Sequence, residues 1–285
     1  NSAGGQLNAN TSPDRTFYYE LLPSNQLELG LWLESERMLH AEIAQIGVDT
    51  QREVVKEEKR QRYSRPYATF PENIFKRLYT KHPYNWTPIG SMEHLNSASL
   101  ENFISFYDRF YSPNNATLSL AGDFDIPETK ELIKAYFNDI PMGPSVVQPT
   151  IKEDPLGEEK TAIIYDDIQL PAIMLGYRMP PRASDDAYAL QMLSTVLSGG
   201  ASSRMYKRLV DDDQSAAFVQ VFPFSLEQGG AFITFSVANA GKSITDMKPA
   251  IEEEIDRLKN ELISEKEFEK IQNQMESSFI QSNST

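Results

Sequence analysis

The sequence predicts an α+β protein, in which antiparallel strands pack against helices. Segments rich in aromatic and β-branched residues alternate with amphipathic segments of helical period. The stretch AAFVQVFPFSLEQGGAFITFSVANA predicts two strands about a Gly-containing turn, so strands occur in hairpins as well as between helices. That order favours layers of helix and antiparallel sheet over a doubly wound parallel sheet.

The first 150 residues supply the elements of one predicted domain. Thr50 and Glu53 form a capping-box pattern, which predicts a helix that begins near Thr50. Alternation of apolar residues in NNATLSLAGDF predicts a half-buried strand. The predicted elements in chain order are a strand at 16–22, helices at 25–40 and from 50, a helix at 97–111, a strand at 116–120 and a helix at 127–140.

A proline-rich segment without periodicity, residues 141–160, is the best candidate for a linker. We therefore expect two related domains, at 1–150 and 158–285. Strand-like sequence follows the first residues closely and helical sequence continues to the end, so both domains are expected to be incomplete. The elements predicted beyond the linker are strands at 161–167 and 172–180, helices at 185–199 and 203–212, two strands within 216–240, and helices from 244 and 264.

Composition limits the classes of partner. The chain has 285 residues with 41 acidic and 27 basic side chains, a formal net charge of −14. Nucleic acid and anionic membrane surfaces are therefore poor partners, and basic or neutral ligands, including peptides, suit the field better. Solubility alone is the simpler explanation of the negative charge. The chain has no cysteine, which excludes disulfides and Cys-ligated metals. No apolar run reaches the length of about 18 residues that a membrane span requires.

The stretch TQREVVKEEKRQR contains the most informative carboxylate. Gln51, either Val54 or Val55, Glu58 and Arg62 fall on one face of the predicted helix. We expect the apolar residue to draw Glu58 partly inward, where a carboxylate needs a cation, a metal ion or hydrogen-bond donors. The alternative from spacing alone is a Glu58–Arg62 ion pair on a wet surface, which stabilises little.

Other motifs are weaker. Gly4 and Gly5 precede a segment that could accept a peptide as an added strand, but the local signal alone favours an ordinary hairpin turn before a strand. His40, His82 and His94 lack the spacing of a metal-binding pair. The stretch LSGGASSR lacks the Lys of a phosphate loop, and a helix end followed by a new helix start explains it.

Six segments in this order resemble the M16 family of zinc metallopeptidases, which includes insulin-degrading enzyme, pitrilysin and the mitochondrial processing peptidase. They are GGQLNANTSPDRTFYYE, LELGLWLESERM, QREVVKEEKRQR, HPYNWTPIGS, YDRFYSPNNATLSLAGDF and LSGGASSRMYKRL. The resemblance implies the LuxS/MPP-like metallohydrolase fold. It also implies a peptidase whose His-x-x-Glu-His motif supplies two zinc ligands and the general base. That motif is absent from these 285 residues, and we expect it upstream, with no catalytic residue in this chain.

The resemblance assigns roles to particular residues. Glu58 matches the third zinc ligand, and Gln51 takes the place of a supporting carboxylate behind the metal. The strand after the paired glycines would hold the substrate backbone, which implies peptide binding by Asn8, Ala9, Asn10 and Thr11. We therefore expect Zn²⁺ in the intact enzyme, and neither bound zinc nor activity in this chain alone.

The function implied is a fragment of a zinc-dependent endopeptidase. The intact enzyme would cleave peptides or unfolded polypeptides in a chamber closed by a second M16-type half, on the same chain or a separate subunit. The alternative is a non-catalytic M16-like scaffold or substrate-binding subunit, since Gln51 departs from the family pattern. A periplasmic or cell-envelope location is expected from the family, and a cytoplasmic one stays open. Substrate and cleavage preference are not specified by the sequence.

Overall fold

The computed structural model describes residues 3–284, which divide into two compact units. The first unit contains residues 3–62 and 87–151, and the second contains 63–86 and 152–284. Both combine helices with antiparallel strands, as the sequence predicts. Within the described residues, no helix is both long and apolar enough to cross a membrane.

The first unit consists of one hairpin and five helices among its described residues. The two strands are antiparallel, with Ala9 opposite Tyr18. Leu31 on the first helix is almost fully buried. The elements are β1 (Gln6–Thr11), β2 (Thr16–Leu21), α1 (Leu27–Leu39), α2 (Gln45–Tyr63, of which 63 belongs to the second unit), α4 (Met92–Ser97), α5 (Leu100–Phe110) and α6 (Ile126–Phe137).

The second unit has a three-stranded antiparallel sheet with helices packed on it. The strand order is β3-β5-β4, with Gly176 on the edge strand opposite Ile233 on the central one. A core of Leu, Met, Val, Phe and Ala side chains lies between the sheet and the helices. The elements are α3 (Phe70–Leu78), β3 (Ala172–Arg178), α7 (Asp185–Ser198), a π-helix (Tyr206–Asp212), β4 (Ala216–Ser225), β5 (Gly230–Ala238), α8 (Ile244–Asn260) and α9 (Glu265–Ser282).

Residues 63–86 pack with the second unit. The predicted domains at 1–150 and 158–285 do not anticipate this, because they place the whole segment in the first domain. The reason is a close approach of α3 to β3. A Cβ atom at Gly176 would lie 2.8 Å from Ile74 Cγ2, so the helix occupies the space of the missing side chain. Whether the two units are two related M16-type domains stays a prediction.

Several local predictions are wrong. The second long helix begins at Gln45 and not near Thr50, whose hydroxyl instead donates to Ile46 O at 2.7 Å from within the helix. Residues 116–120 and 161–167 lie outside the described strands, because no neighbouring strand pairs with them among residues 3–284. The helix predicted at 203–212 is largely a π-helix.

Glu153 fixes the end of the linker to the loop after α3. Its carboxylate accepts hydrogen bonds from the backbone N–H groups of Thr80, Lys81 and His82 at 2.5–2.8 Å, and it pairs with Arg178 at 3.3 Å. Burial opposes the charge, but these donors outweigh it and lower the pKa of Glu153 to about 2.

We expect Glu153→Gln to destabilise the chain at neutral pH, by about 1–2 kcal/mol for lost charge-assisted hydrogen bonds. Because the pKa of Glu153 is depressed, its contribution is present above the ordinary value of 4.5 and is lost as pH falls toward about 2. The thermal unfolding midpoints of the unmodified chain and of Glu153→Gln should therefore converge in acid. Glu158→Gln, at an exposed neighbouring position, is the control. An unchanged midpoint for Glu153→Gln at pH 7 would contradict the account.

Candidate metal-ligand helix and peptide-binding edge

One stripe of α2 faces the first unit. Val48 on this stripe is buried. Arg52 Nη2 donates to Ala98 O at 2.6 Å, and Lys59 Nζ donates to Gly90 O at 2.5 Å. The intervals of four and seven residues place these three side chains on one side of the helix. Two cations that bond backbone carbonyl oxygens therefore set the rotation of α2 about its axis.

A neighbouring stripe, about 100° around the helix, faces solvent. Gln51, Val54, Glu58 and Arg62 are all exposed, and Val54 remains 53% accessible. The expectation that the apolar residue draws Glu58 inward is therefore wrong. The long aliphatic stems of Arg52 and Lys59 cover the surface beside their own stripe of α2, while their charged ends reach backbone oxygens.

Glu58 differs from the two other glutamates near it. Glu53 pairs with Lys56 at 2.6 Å, and this hydrogen bond is the main cause that lowers the pKa of Glu53. Glu57 pairs with Arg60 at 3.1 Å. Glu58 makes no hydrogen bond or ion pair within the described part of the chain, so the alternative of a pair with the arginine one turn on is also wrong.

A complete metal site does not form from these residues. Among residues 3–284, no group of three or more His, Asp or Glu side chains is arranged to hold a metal ion. A catalytic zinc needs three protein ligands and an open position. Glu58 presents one free carboxylate on a rigid helix, which suits a single ligand of such a set. Gln51, two turns before it, is exposed and does not contact Glu58 by a hydrogen bond.

The hairpin presents a strand edge. Ser12 N donates to Arg15 O at 2.9 Å, and this hydrogen-bonded pair sets the alternation along the antiparallel ladder. The main-chain groups of Asn8 and Asn10 then face β2, whereas those of Leu7, Ala9 and Thr11 face outward. Ala9 N accordingly bonds its neighbour's side chain, Asn8 Oδ1, at 2.8 Å.

No other strand covers the outer edge of β1 within residues 3–284. All six residues of β1 are exposed. The four positions predicted to hold a peptide, residues 8–11, therefore lie together on an accessible edge. Two of the four, Ala9 and Thr11, direct backbone groups away from β2 and toward solvent.

The geometry can now be compared with known proteins. The family model described as the peptidase M16 inactive domain matches residues 97–275, more than half of the chain. The chain belongs to peptidase family M16. The α+β architecture predicted from the sequence is confirmed by the solved M16 structures that it resembles.

Named M16 relatives are zinc proteases. Zinc protease PqqE of Helicobacter pylori is 28% identical over 281 residues, which cover 97% of this chain and 63% of that protein. An uncharacterised zinc protease of Mycobacterium leprae is 29% identical over 210 residues, which cover 73% of this chain and 47% of the relative. The crystal structure of a protease from Helicobacter pylori superposes with a TM-score of 0.92 at 28% identity and covers 98% of this chain and 68% of that one. The chain thus spans less than two thirds of the length of these two curated relatives.

Sequence reasoning missed Arg52 and Lys59 as the anchors of α2. A signal was present, because both follow Val48 at helical spacing, and Val55 shares their side. Their partners, the carbonyl oxygens of Ala98 and Gly90, lie more than 30 residues away and leave no side-chain pattern.

Adjacent substitutions on α2 should separate its two faces. Lys59→Met keeps an aliphatic stem but removes the donor to Gly90 O, and we expect a loss of about 1–3 kcal/mol in the free energy of unfolding. Glu58→Gln should change that free energy by less than about 0.5 kcal/mol, because the side chain is exposed and makes no bond. Denaturant unfolding measures both. Equal losses would show that Glu58 has a structural role.

Proposed function

We propose that this chain is part of a zinc-dependent M16 endopeptidase and that Glu58 is one of its zinc ligands. The observation that supports this most strongly is the free carboxylate of Glu58 on the outward face of α2. Its neighbours Glu53 and Glu57 are both ion-paired, and only Glu58 is left available to a cation. The names of the zinc-protease relatives agree with this role.

The other ligands would come from a His-x-x-Glu-His motif that these 285 residues do not contain. When bound, zinc supplies Lewis-acid chemistry and lowers the pKa of a coordinated water. The chain's own contribution is to present the Glu58 carboxylate without reorganisation. Lys59 and Arg52 prevent α2 from rotating, so the carboxylate keeps its direction. Gln51, two turns earlier, can offer an amide hydrogen bond but no second negative charge.

The β1 edge would align the substrate. An added peptide strand would pair with the outward N–H and C=O groups of Leu7, Ala9 and Thr11. Main-chain pairing tolerates many side chains, which suits an enzyme that cleaves peptides or unfolded polypeptides. A second M16-type half would complete a closed chamber, and its partner role is supported by the family alone.

A second candidate is a non-catalytic M16 subunit that binds substrate or serves as scaffold. Gln51 at the place of the supporting carboxylate favours it, because the amide removes negative charge next to the metal position. The two candidates differ in zinc content of the full-length protein. The endopeptidase requires stoichiometric zinc, and the scaffold does not.

In the full-length protein, we expect Glu58→Gln to lower zinc occupancy and to reduce peptidase activity by at least about 100-fold, because a neutral amide is a poor zinc ligand. Atomic absorption and cleavage of a quenched fluorescent peptide measure the two effects. Glu57→Gln is the matched control, since Glu57 is equally exposed but paired with Arg60. Retention of zinc and activity by Glu58→Gln would exclude the assignment.

Ala9→Pro tests the strand edge. Proline is tolerated on an edge strand where the N–H faces away from the partner strand, so the hairpin should persist. The substitution removes one outward donor and should raise KM for peptides by about tenfold, the effect of one lost hydrogen bond of about 1–1.5 kcal/mol. Asn10→Pro, which removes an inward donor, should instead disrupt the hairpin. An unchanged KM for Ala9→Pro in a folded protein would argue against strand addition at β1.

A further inference from the structure

A carboxylate without donors lies beneath the hairpin. Glu20, on β2, turns both carboxyl oxygens toward α1, and neither oxygen is exposed or hydrogen-bonded to a donor within the described residues. The helix approaches closely at this point because Gly30 has no side chain. A Cβ atom there would lie 3.3 Å from Glu20 Oε2. An ionised carboxylate in this position would be desolvated without compensation.

Arg37, the cation that acts on Glu20, is already bonded to another carboxylate. Arg37 bonds both oxygens of Glu34, at 3.1 and 3.2 Å, and its guanidinium lies 4.1 Å from the centre of the Tyr18 ring. The Tyr18 hydroxyl is paired with that of Tyr111 at 2.5 Å and does not turn to Glu20. Glu34 lies one turn along α1 from Gly30, on the side of the helix that Glu20 approaches. After burial, the charge of Glu34 and a side-chain hydrogen bond with it are the causes that raise the pKa of Glu20.

Two carboxyl groups that approach each other beside one guanidinium are stabilised by one proton. The proton converts a repulsive contact into an acid–carboxylate hydrogen bond, while the remaining charge stays paired with the arginine. We propose that Glu20 and Glu34 share one proton across the β2–α1 contact, so that the β1–β2 hairpin docks on α1 more tightly in mild acid than at neutral pH.

The sign of the pH dependence follows from the charges around Glu20. Burial raises the pKa of Glu20 above its ordinary value of 4.5, the charge of Glu34 raises it further, and Arg37 opposes both. The docked hairpin therefore keeps a proton that the undocked hairpin releases. Docking is strongest below pH 4.5 and weakens as pH rises through the raised pKa. Tyr111 stays neutral throughout, because burial raises its pKa.

The consequence concerns the strand edge. β1 is attached to the rest of the first unit through β2, so the Glu20–Glu34 contact influences how firmly the edge is held. This inference depends only on the packing of the first unit. It holds whether or not β1 accepts a peptide, so its failure would leave the proposed function untouched.

Amide hydrogen exchange of β1 and β2 between pH 4.5 and 8, corrected for the intrinsic rates, tests the proposal. In the unmodified chain, protection should fall by at least about threefold over this range, because the docked hairpin loses its bound proton. Glu20→Gln places a neutral donor beside Glu34. It should raise protection at pH 7.5 by a similar factor and remove the pH dependence.

Glu36→Gln is the matched control, because Glu36 lies on the same helix but pairs with His40 at the surface. It should follow the unmodified chain. If Glu20→Gln keeps the pH dependence or is less protected than the unmodified chain at pH 7.5, the proposal is wrong. Carboxyl ¹³C titration of the unmodified chain gives a second test that needs no variant. A midpoint for Glu20 above 4.5 supports the shared proton, and one at or below 4.5 overturns it.

Discussion

The donation of two cationic side chains to backbone carbonyl oxygens determines what α2 presents to solvent. Arg52 and Lys59 hold the helix against Ala98 and Gly90, and the rotation that results directs Glu58 outward. Such contacts are stronger than those between neutral groups, because the donor is charged and partly desolvated. The free carboxylate is therefore a consequence of how the adjacent face is anchored. A metal ligand gains from this arrangement, since no local partner must be displaced before the metal binds.

In the β1–β2 hairpin, too, a buried contact supports an exposed surface that is proposed to be functional. β1 offers outward backbone groups at Leu7, Ala9 and Thr11, while β2 carries the side chains that secure it to α1. Tyr18 contributes a ring that stacks on Arg37 and a hydroxyl that meets Tyr111. When ionised, Glu20 adds a negative charge that has no hydrogen-bond donor among the described residues. The edge proposed to bind peptides thus rests on a polar contact whose strength varies with protonation.

Periodicity predicted the helices well and the strands only in part. The apolar spacing of α1, α5 and α6 identifies them. The helix predicted from 264 is α9, and Ser264 caps it by accepting from Glu267 N at 3.3 Å. Strand pairing is not local, so alternation in 116–120 and 161–167 could not establish a neighbour. Thr50 misled because threonine also bonds the carbonyl one turn back inside a helix. The exposure of Glu58 depended on distant carbonyl oxygens, and no pattern in the helix itself encodes them.

The rotation of α2 is the central claim, and chemical footprinting of this chain tests it most directly. Carbodiimide coupling measures the accessibility of each carboxylate, and acetylation measures that of each lysine. Glu58 should be labelled about as fast as the exposed Glu57, and Lys59 should react far more slowly than the exposed Lys134. A protected Glu58 together with a reactive Lys59 would contradict the account, because the helix would then be rotated about its axis toward the face that carries Lys59.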